Sequence, residues 1–211
     1  MVILDIGALI LMGGKNSRMN GNVKGLLKIR NTTFLEKIKE TLNDFSSIYL
    51  SINDKFSQNQ KQKQNFEQMG FKLIEDIYKE IGPLGGIYSS LLNCKEEYLF
   101  ITACDMPFIT KNNIKILCDR LDKDVDVVVF CDKNDRLYPL SAIYSKKVLP
   151  IIEEMIDKKY YKLSYLIDKS NFVKINIEDT DIELETLSNI NTPQDYDSLK
   201  EKIKYSPSKS I

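Results

Sequence analysis

The sequence has no histidine among its 211 residues. This absence excludes nucleophiles that are activated by imidazole, zinc sites with histidine ligands, and acid–base catalysis by imidazole. Any chemistry in this chain must therefore use carboxylates, ammonium and guanidinium groups, backbone N–H groups, or a hard metal ion.

Cysteine is scarce, and none of the four cysteines forms a C-x-x-C pair. This spacing argues against a zinc ribbon and against a dithiol redox motif. Each cysteine lies in or beside an apolar stretch, so we expect free, at least partly buried thiols in a reducing cytoplasm. The four are Cys94, Cys104, Cys118 and Cys131.

Long apolar runs and net charge are also absent. No apolar run approaches the ~18 residues that a membrane span requires, and Met1–Asp5 lacks the basic region of a secretory signal. Basic and acidic residues both number 30, which gives a formal net charge of +0. We therefore expect a cytoplasmic protein without a membrane or nucleic-acid partner, in which any attraction for anions is local.

The hydrophobic pattern predicts the fold class. A chain of 211 residues with 43% hydrophobic content suits one domain, which we place at residues 1–204, followed by a flexible tail at 205–211. Apolar segments alternate with amphipathic ones, which predicts an α/β fold whose mostly parallel sheet has helices on both faces. The predicted strands are Gly7–Met12, Ile48–Ile52, Phe71–Glu75, Tyr98–Ala103, Val125–Cys131, Tyr138–Tyr144 and Phe172–Ile177.

Several predicted helices carry start or stop signals. Thr33 and Glu36 have the spacing of a capping box, and Gly70 stands where a C-cap is expected. Thr192 is placed to cap the last helix. The predicted helices are Thr33–Phe45, Ser57–Met69, Leu84–Cys94, Asn112–Leu121, Lys146–Asp157, Leu163–Asp168 and Pro193–Ile203.

Glycine and positive charge follow the first predicted strand in the segment LMGGKNSRMNGNVKGLL. In parallel sheets, ligands bind beyond the carboxyl ends of the strands. Gly13 and Gly14 allow backbone N–H groups to face an anion, and Lys15, Arg18 and Lys24 offer charge-assisted hydrogen bonds to phosphate. The Walker A and dinucleotide-binding motifs are both missing, so composition leaves a phosphate site and an ordinary solvated loop open.

Four segments, in order along the chain, resemble one family. LMGGKNSRMNGNVKGLL resembles the L-x-G-G-x-S-x-R-M-G-x-x-K-x-L-L signature of nucleotidyltransferases, most closely the molybdenum cofactor guanylyltransferase (MobA) family. LIEDIYKEIGPLGGI, ITACDMPFI and NINTPQDY resemble its later segments. The resemblance implies a Rossmann-like three-layer α/β/α sandwich of the nucleotide-diphospho-sugar-transferase type. It also implies transfer of GMP from GTP to the terminal phosphate of (molybdenum-)molybdopterin, with release of pyrophosphate.

The resemblance assigns the two carboxylates different roles. Asp105 follows an apolar strand and would hold a Mg²⁺ ion that bridges phosphate oxygens; position alone also allows a helix N-cap. Asp76 ends another strand and resembles the family aspartate that contacts the guanine nucleotide; a solvated loop carboxylate is the alternative.

The remaining nucleotide contacts follow from the same signature. Arg18 resembles the arginine expected at the triphosphate, and Lys24 the lysine that contacts phosphate or base, so both are candidate catalytic residues. For a polar contact near the second strand's end, register favours Ser51, whereas Asn53 supplies the amide type. The main chain expected to surround the nucleotide comprises Leu11, Met12, Gly13 and Gly14.

The acceptor side is less defined. Asn189 and Asn191 resemble a family pair near the acceptor or the metal, although asparagine is also typical of turns. Tyr138-Pro139 stands where the family often has His-Pro, which weakens a pterin assignment there. Gly82-Pro83-Leu84-Gly85-Gly86 either lets guanine lie close or caps a helix. Tyr160, Tyr161 and Tyr165 either stack on a pterin or pack.

Other functions remain open on sequence alone. A cytidylyltransferase or another nucleotidyltransferase for a related phosphorylated acceptor is one alternative, although the Gly13-Gly14 pair favours GTP. A nucleotide-binding regulatory domain without turnover is a second, against which Arg18, Lys24, Asp76 and Asp105 argue together. The expected partners are the substrates GTP and molybdopterin, with transient contacts to other molybdenum cofactor biosynthesis proteins or target enzymes.

Overall fold

The computed structural model describes residues 5–12 and 23–205. Its strands are β1 (Ile6–Leu11), β2 (Lys28–Ile29), β3 (Thr32–Thr33), β4 (Ile48–Ile52), β5 (Lys72–Glu75), β6 (Tyr98–Ala103), β7 (Val127–Cys131), β8 (Leu137–Ser145) and β9 (Phe172–Asn176). Its α-helices are α1 (Phe34–Thr41), α2 (Asp54–Ser57), α3 (Gln60–Gln68), α4 (Pro83–Asn93), α5 (Lys111–Cys118), α6 (Leu149–Asp157), α7 (Leu163–Lys169) and α8 (Pro193–Tyr205). Short 3-10 turns include Lys24–Leu26 and Leu184–Leu187.

Within these ranges, seven strands form one sheet in the order β5-β4-β1-β6-β8-β7-β9. All neighbours are parallel except those of β8, which is antiparallel to β6 and to β7. Only five residues connect β7 to β8, and Asp135 in this turn has a φ of 60°. A connection this short can join antiparallel strands only, so one strand reverses in the otherwise parallel sheet that the sequence predicts.

Helices cover both faces of the sheet, as a three-layer sandwich requires. Alternate residues of β1 point to opposite sides: Ala8 and Ile10 join one buried cluster, and Leu9 and Leu11 join the other. The first cluster takes its α-helical residues from α1, α2, α3 and α5, and the second from α4, α6 and α7. The predicted fold class, a mostly parallel three-layer α/β/α sandwich, is confirmed.

A small third cluster fastens the C-terminal helix to the domain. Ile190 and Leu199 pack with Ile29 and Phe34, and the ring of Tyr196 meets that of Phe34 edge-on at 5.9 Å. Helix α8 therefore lies against the β2–β3 hairpin and the start of α1. It reaches residue 205, the first residue of the predicted tail, and residues 206–211 lie outside the described part.

Side-chain caps explain where several of the helices begin. The predicted capping box is present at the start of α1, where the side chain of Thr33 accepts from the N–H of Glu36 and the Glu36 carboxylate accepts from Thr33. The helix predicted over Ser57–Met69 is present as α3, but its predicted start is wrong. It begins at Gln60 because the Asn59 side chain accepts from the N–H of Gln62 and caps it, and Ser57 belongs to the preceding helix α2.

The short β2–β3 pair, which the sequence pattern did not predict, turns at Arg30 with a φ of 54°. In the parts of the chain that the structure describes, no helix has both the length and the apolar character needed to cross a bilayer.

Candidate active site

The candidate site lies where four parallel strands end. Strands β5, β4, β1 and β6 are neighbours, so their carboxyl ends form one edge of the sheet. Register places Leu11 beside Ser51 on one side and beside Ala103 on the other. Asp76 directly follows β5, and Asp105 comes two residues after β6. The fold therefore brings both predicted carboxylates to the edge where ligands bind in such sheets.

Asp105 is held from two parts of the chain. Its Oδ2 accepts from Lys24 Nζ at 2.7 Å, and its Oδ1 accepts from Asn189 Nδ2 at 2.9 Å. Its carbonyl oxygen accepts from the N–H of Ile190 at 2.8 Å. The residue is only 8% exposed, so the carboxylate orientation is set by these partners.

The alternative interpretation of Asp105 as a helix cap is wrong. Helix α5 begins at Lys111, and its N-cap is Thr110, whose side chain accepts from the N–H of Asn113. Asn113 Oδ1 in turn accepts from the N–H of Thr110, which completes the capping box. The carboxylate of Asp105 is thus not needed by the helix that follows.

Lys24 links Asp105 to the C-terminal segment. Its Nζ also donates to Asn191 Oδ1 at 2.7 Å, so one ammonium group contacts oxygens from two elements. The next residue is glycine for a steric reason. A β-carbon on Gly25 would lie 3.2 Å from Cβ of Cys104 and 3.4 Å from Sδ of Met12, so a side chain there would push the loop off the site.

A capping box presents Asn191 to the site. Asp195 Oδ2 accepts from the N–H of Asn191 at 2.9 Å and from the N–H of Thr192 at 2.8 Å. Thr192 Oγ1 accepts from the N–H of Asp195, which confirms Thr192 as the helix cap. The backbone hydrogen bonds from Thr192 and Asn191 lower the pKa of Asp195. The asparagine pair that the resemblance placed near acceptor or metal therefore lies beside Asp105 and Lys24.

Asp76 is joined to Ser51. Ser51 Oγ donates to Asp76 Oδ1 at 2.6 Å, and Ser51 is only 1% exposed. The N–H of Asp76 also donates to the carbonyl of Ile52 at 3.0 Å. The two predicted nucleotide-binding residues thus form one hydrogen-bonded pair, in which Ser51 is buried and Asp76 is partly exposed.

Helix α4 closes over this pair. A β-carbon on Gly86 would lie 2.5 Å from Ser51 Oγ and 3.4 Å from Asp76 Oδ1. Ser89, one turn further on, accepts from the N–H of Ile77 at 2.8 Å and donates to the carbonyl of Gly85. Sequence reasoning missed Ser89 because a serine within an apolar helix carries no motif. Its spacing of four from Gly85 was the available signal.

The other predicted nucleotide contacts have mixed positions. Leu11 and Met12 are buried, and the N–H of Met12 donates to the Ser51 carbonyl at 3.1 Å, so their side chains pack within the protein. Asn53 Oδ1 is buried and has no hydrogen-bond partner among the described residues. Gly13, Gly14 and Arg18 lie outside the described residues, so their assignments stay predictions.

A cleft of about 390 Å³ adjoins Asp105 on the side of β8 and the C-terminal segment. Arg136 lies 5.9 Å from the ring centroid of Tyr138, and burial together with the Asp132 carboxylate raises the pKa of Tyr138, which keeps this phenol protonated. Ser141 Oγ is buried without a partner in the described part. The lining residues are Met106, Arg136, Leu137, Tyr138, Pro139, Leu140, Ser141, Leu184, Leu187, Ser188, Asn189 and Asn191.

The tyrosines considered for pterin stacking pack against protein instead. The rings of Tyr160 and Tyr165 meet edge-on at 4.9 Å, and Tyr161 packs against the core between α6 and α7. None of the three lines the cleft.

The cysteines are free, and three of the four are buried. Burial raises the pKa of Cys104, next to Asp105, to about 12, so this thiol is a poor nucleophile at neutral pH. Cys94 and Cys118 have pKa values raised to about 11 for the same first reason. The expectation of free, at least partly buried thiols is confirmed.

The family follows from the sequence comparison. The family described as MobA-like NTP transferase domain matches residues 8–171. The chain belongs to this family. The matched segment contains both carboxylates, Asp76 and Asp105, and their partners Ser51 and Lys24. The C-terminal asparagines Asn189 and Asn191 lie beyond it. The resemblance read from the four segments is thereby confirmed.

Relatives of this MobA-like chain cover nearly all of it. A probable molybdenum cofactor guanylyltransferase of Clostridium perfringens (strain 13) is 34% identical over 204 residues, which is 92% of this chain and 96% of the relative. One from Flavobacterium johnsoniae is 32% identical over 190 residues, which is 90% and 94%. The crystal structure of molybdopterin-guanine dinucleotide biosynthesis protein A from Archaeoglobus fulgidus has a TM-score of 0.79, with 24% identity, over 94% of this chain and 99% of that one.

The metal-ligating groups of this MobA-like domain are few. Across the described ranges, no three cysteine, aspartate or glutamate side chains converge as they would in an all-protein metal cage. Asp105 instead supplies one carboxylate. The amide oxygen of Asn191 lies near it, because both groups accept from Lys24 Nζ. Such a sparse oxygen set is typical of Mg²⁺ sites that share the ion with substrate phosphates.

Proposed function

We propose that this protein transfers GMP from GTP to the terminal phosphate of (molybdenum-)molybdopterin and releases pyrophosphate. The family membership and the names of the relatives support this reaction class. The single observation that carries the proposal is the cluster of Lys24, Asp105, Asn189 and Asn191. It lies between the sheet edge and a cleft large enough for a second substrate.

The reaction needs little covalent help from protein. An oxygen of the acceptor phosphate attacks the α-phosphorus of GTP, and the bond from that phosphorus to the α,β-bridging oxygen breaks. The bridging oxygen leaves with pyrophosphate. The acceptor phosphate is already ionised at pH 7, so the task is to position two polyanions and to stabilise negative charge. A chain without histidine can do both.

Among the described residues, Lys24 supplies the positive charge in the Asp105 cluster. Its ammonium group lies on Asp105 and Asn191 and is partly exposed, so it is within reach of a phosphate entering the site. We assign it charge stabilisation at the α-phosphate. Arg18 is assigned to the leaving pyrophosphate, and the main chain at Gly13 and Gly14 to the remaining phosphate oxygens, on the strength of the family signature.

The residues at this position fit a magnesium ion. Asp105 and the amide oxygen of Asn191 are hard oxygen donors, and both already surround one positive charge, the ammonium of Lys24. Bound there, Mg²⁺ would neutralise charge on the phosphates. We propose Asp105 as the metal-holding residue of the site.

The nucleotide base is assigned to the β4–β5 end of the sheet edge. A carboxylate can accept both N1–H and the 2-amino group of guanine, and Asp76 is the carboxylate available there. The phosphates then extend along the edge toward Asp105.

The acceptor is assigned to the cleft beside β8. Asn189 and Asn191 border both the cleft and the Asp105 cluster, so an acceptor phosphate at that border would face the α-phosphate. Arg136, Tyr138 and the unpartnered hydroxyl of Ser141 supply polar contacts for a heterocycle with hydrogen-bonding edges.

A panel of four nucleotides tests the proposed function. Pyrophosphate release is measured with GTP, CTP, ATP or UTP, each with molybdopterin and Mg²⁺, and the product is identified by mass. We expect release with GTP, product of the guanine dinucleotide mass, and loss of turnover after chelation by EDTA. Preference for CTP would replace the guanine assignment with a cytidylyltransferase. GTP binding without turnover would favour a regulatory domain.

A further inference from the structure

We propose that Ser51 is a positioning residue for base selection, acting through Asp76 rather than by touching the nucleotide. The inference rests on the proposed function, because it takes Asp76 as the group that contacts guanine. It changes the role of Ser51, which the sequence placed among direct nucleotide contacts.

The hydroxyl of Ser51 is covered by protein. Ser51 is 1% exposed and lies at the end of the buried strand β4, with its hydroxyl directed at Asp76. A β-carbon on Gly86 would lie 2.5 Å from that hydroxyl, so helix α4 already covers it. The Ser51 hydroxyl therefore offers almost no open surface to a bound base.

The hydrogen bond from Ser51 also sets the orientation of the Asp76 carboxylate. A carboxylate rotates about its terminal bond with little resistance, and a fork-shaped contact to N1–H and the 2-amino group needs one plane. The 2.6 Å hydrogen bond from Ser51 fixes where Oδ1 lies, and therefore fixes the plane that contains both oxygens.

The backbone at Asp76 and at the next residue is hydrogen-bonded as well. The N–H of Asp76 donates to the carbonyl of Ile52, and the N–H of Ile77 donates to Ser89 Oγ on α4. The main chain on both sides of Asp76 is thus restrained, and the hydrogen bond from Ser51 restrains the carboxylate itself.

Gly86 belongs to the same device. Any side chain there would meet Ser51 Oγ and Leu11 Cδ2, at 2.5 and 2.7 Å from its β-carbon. The absence of a side chain lets α4 lie close enough to cover Ser51 and to bring Ser89 to Ile77.

The experiment compares nucleotide binding, which needs no acceptor. Dissociation constants for GTP and ITP, which lacks the 2-amino group, are measured by calorimetry with wild type, Ser51→Ala, Asp76→Ala and the double variant. Ser90→Ala is the matched control, because Ser90 is a fully buried serine on α4 whose hydroxyl has no partner in the described part.

We expect Ser51→Ala to lower the GTP-to-ITP preference by about 5-fold, the size of one lost hydrogen bond, and to weaken ITP, which keeps only the N1–H contact, less than GTP. It should have no further effect in the Asp76→Ala background, because the two residues act as a unit. Ser90→Ala should keep the wild-type preference. Ser51→Cys, which retains bulk and a weak donor, should fall between wild type and Ser51→Ala and serves if the alanine variant does not fold.

Two results would overturn the inference. Equal weakening of GTP and ITP by Ser51→Ala, with the preference kept, would mean that Ser51 is only structural. Additive effects in the double variant would mean that Ser51 acts independently of Asp76. If wild type binds GTP and ITP equally and Asp76→Ala changes neither, the guanine assignment of the proposed function fails first, and the inference fails with it.

Discussion

Lys24 joins two parts of the site that are far apart in the sequence. Its ammonium group joins a carboxylate that follows β6 to an amide that precedes α8. The side chains of Lys24 and Asp105 are 17% and 12% exposed, so removing one partner leaves a poorly solvated charge on the other. Lys24 thus contributes both to assembling the site and to holding positive charge there.

Lys24→Met keeps the aliphatic stem and removes the charge. We expect turnover with GTP to fall by about 100-fold or more, because Asp105 loses its cation and the phosphate loses a donor. Lys115→Met, which breaks only the exposed pair with Asp119 on α5, is the control and should stay near wild type. Steady-state pyrophosphate release measures both. Turnover of Lys24→Met within twofold of wild type would refute the role of Lys24.

Far from the site, the buried carboxylate of Glu96 links the stability of the protein to pH. Burial alone would raise its pKa, but hydrogen bonds from Ser47, its own backbone and Tyr49, with nearby Lys72, outweigh burial and lower the pKa. The Tyr49 hydroxyl lies 2.8 Å from the carboxylate. A lowered folded-state pKa stabilises the protein above the unfolded value near 4.5, and this contribution is lost as pH falls through the folded value.

Urea unfolding between pH 3 and pH 7 measures this contribution. We expect the free energy of unfolding to decrease below about pH 4.5 in wild type, and less steeply in Glu96→Gln, which cannot titrate. Tyr49→Phe should cost about 1–2 kcal/mol at pH 7, because a buried carboxylate loses one donor. Identical pH slopes for wild type and Glu96→Gln would contradict the assignment.

The turn between Asn189 and α8 is the element that completes the site. Its backbone is tied to Asp105 through Ile190, and its end is tied to Asp195 through the capping box. The Ile190 and Leu199 side chains anchor it in the third cluster. Losing the cap should therefore affect the position of Asn191 more than it affects the core.

Asp195→Ala tests this turn, with Glu36→Ala as the matched control. Both remove the carboxylate of a capping box, and each should cost about 1 kcal/mol in stability. Only Asp195→Ala should also lower turnover, by about 10-fold, because Asn191 loses its fixed position. Since the Asp195 pKa is lowered, its contribution should persist down to about pH 4 and disappear below it. Equal turnover in both variants would contradict the link between cap and site.

Boundaries that carry a recognised local motif were predictable from sequence, and those without such a motif were not. The capping box at Thr33 and the helix cap at Thr192 were predicted, and in both the partner lies three residues away. The break at Asn59 was missed because a polar helix pattern continues through it. The reversal of β8 was missed because alternation along the chain gives no strand direction where the connection is a five-residue turn.

For the chain as a whole, the same division separates fold from site. Alternating apolar segments predicted the sheet and its two helical layers. The resemblance placed Asp76, Asp105 and Lys24 in one site. The fold pairs Lys24 with Asp105 and brings Asp76 to the same edge of the sheet. The pairing of Lys24 with Asp105 spans 81 positions and that with Asn191 spans 167, so no local pattern could have revealed either.

The most direct test is turnover of Asp105→Asn with GTP, molybdopterin and Mg²⁺, beside its circular dichroism and melting temperature. Asparagine keeps the shape and loses the charge that would hold a divalent ion. We predict that pyrophosphate release falls by about 100-fold or more while the spectrum stays that of wild type and the melting temperature changes by only a few degrees. Turnover near that of wild type from a folded Asp105→Asn variant would contradict an acid-anchored, metal-assisted transfer at this sheet edge.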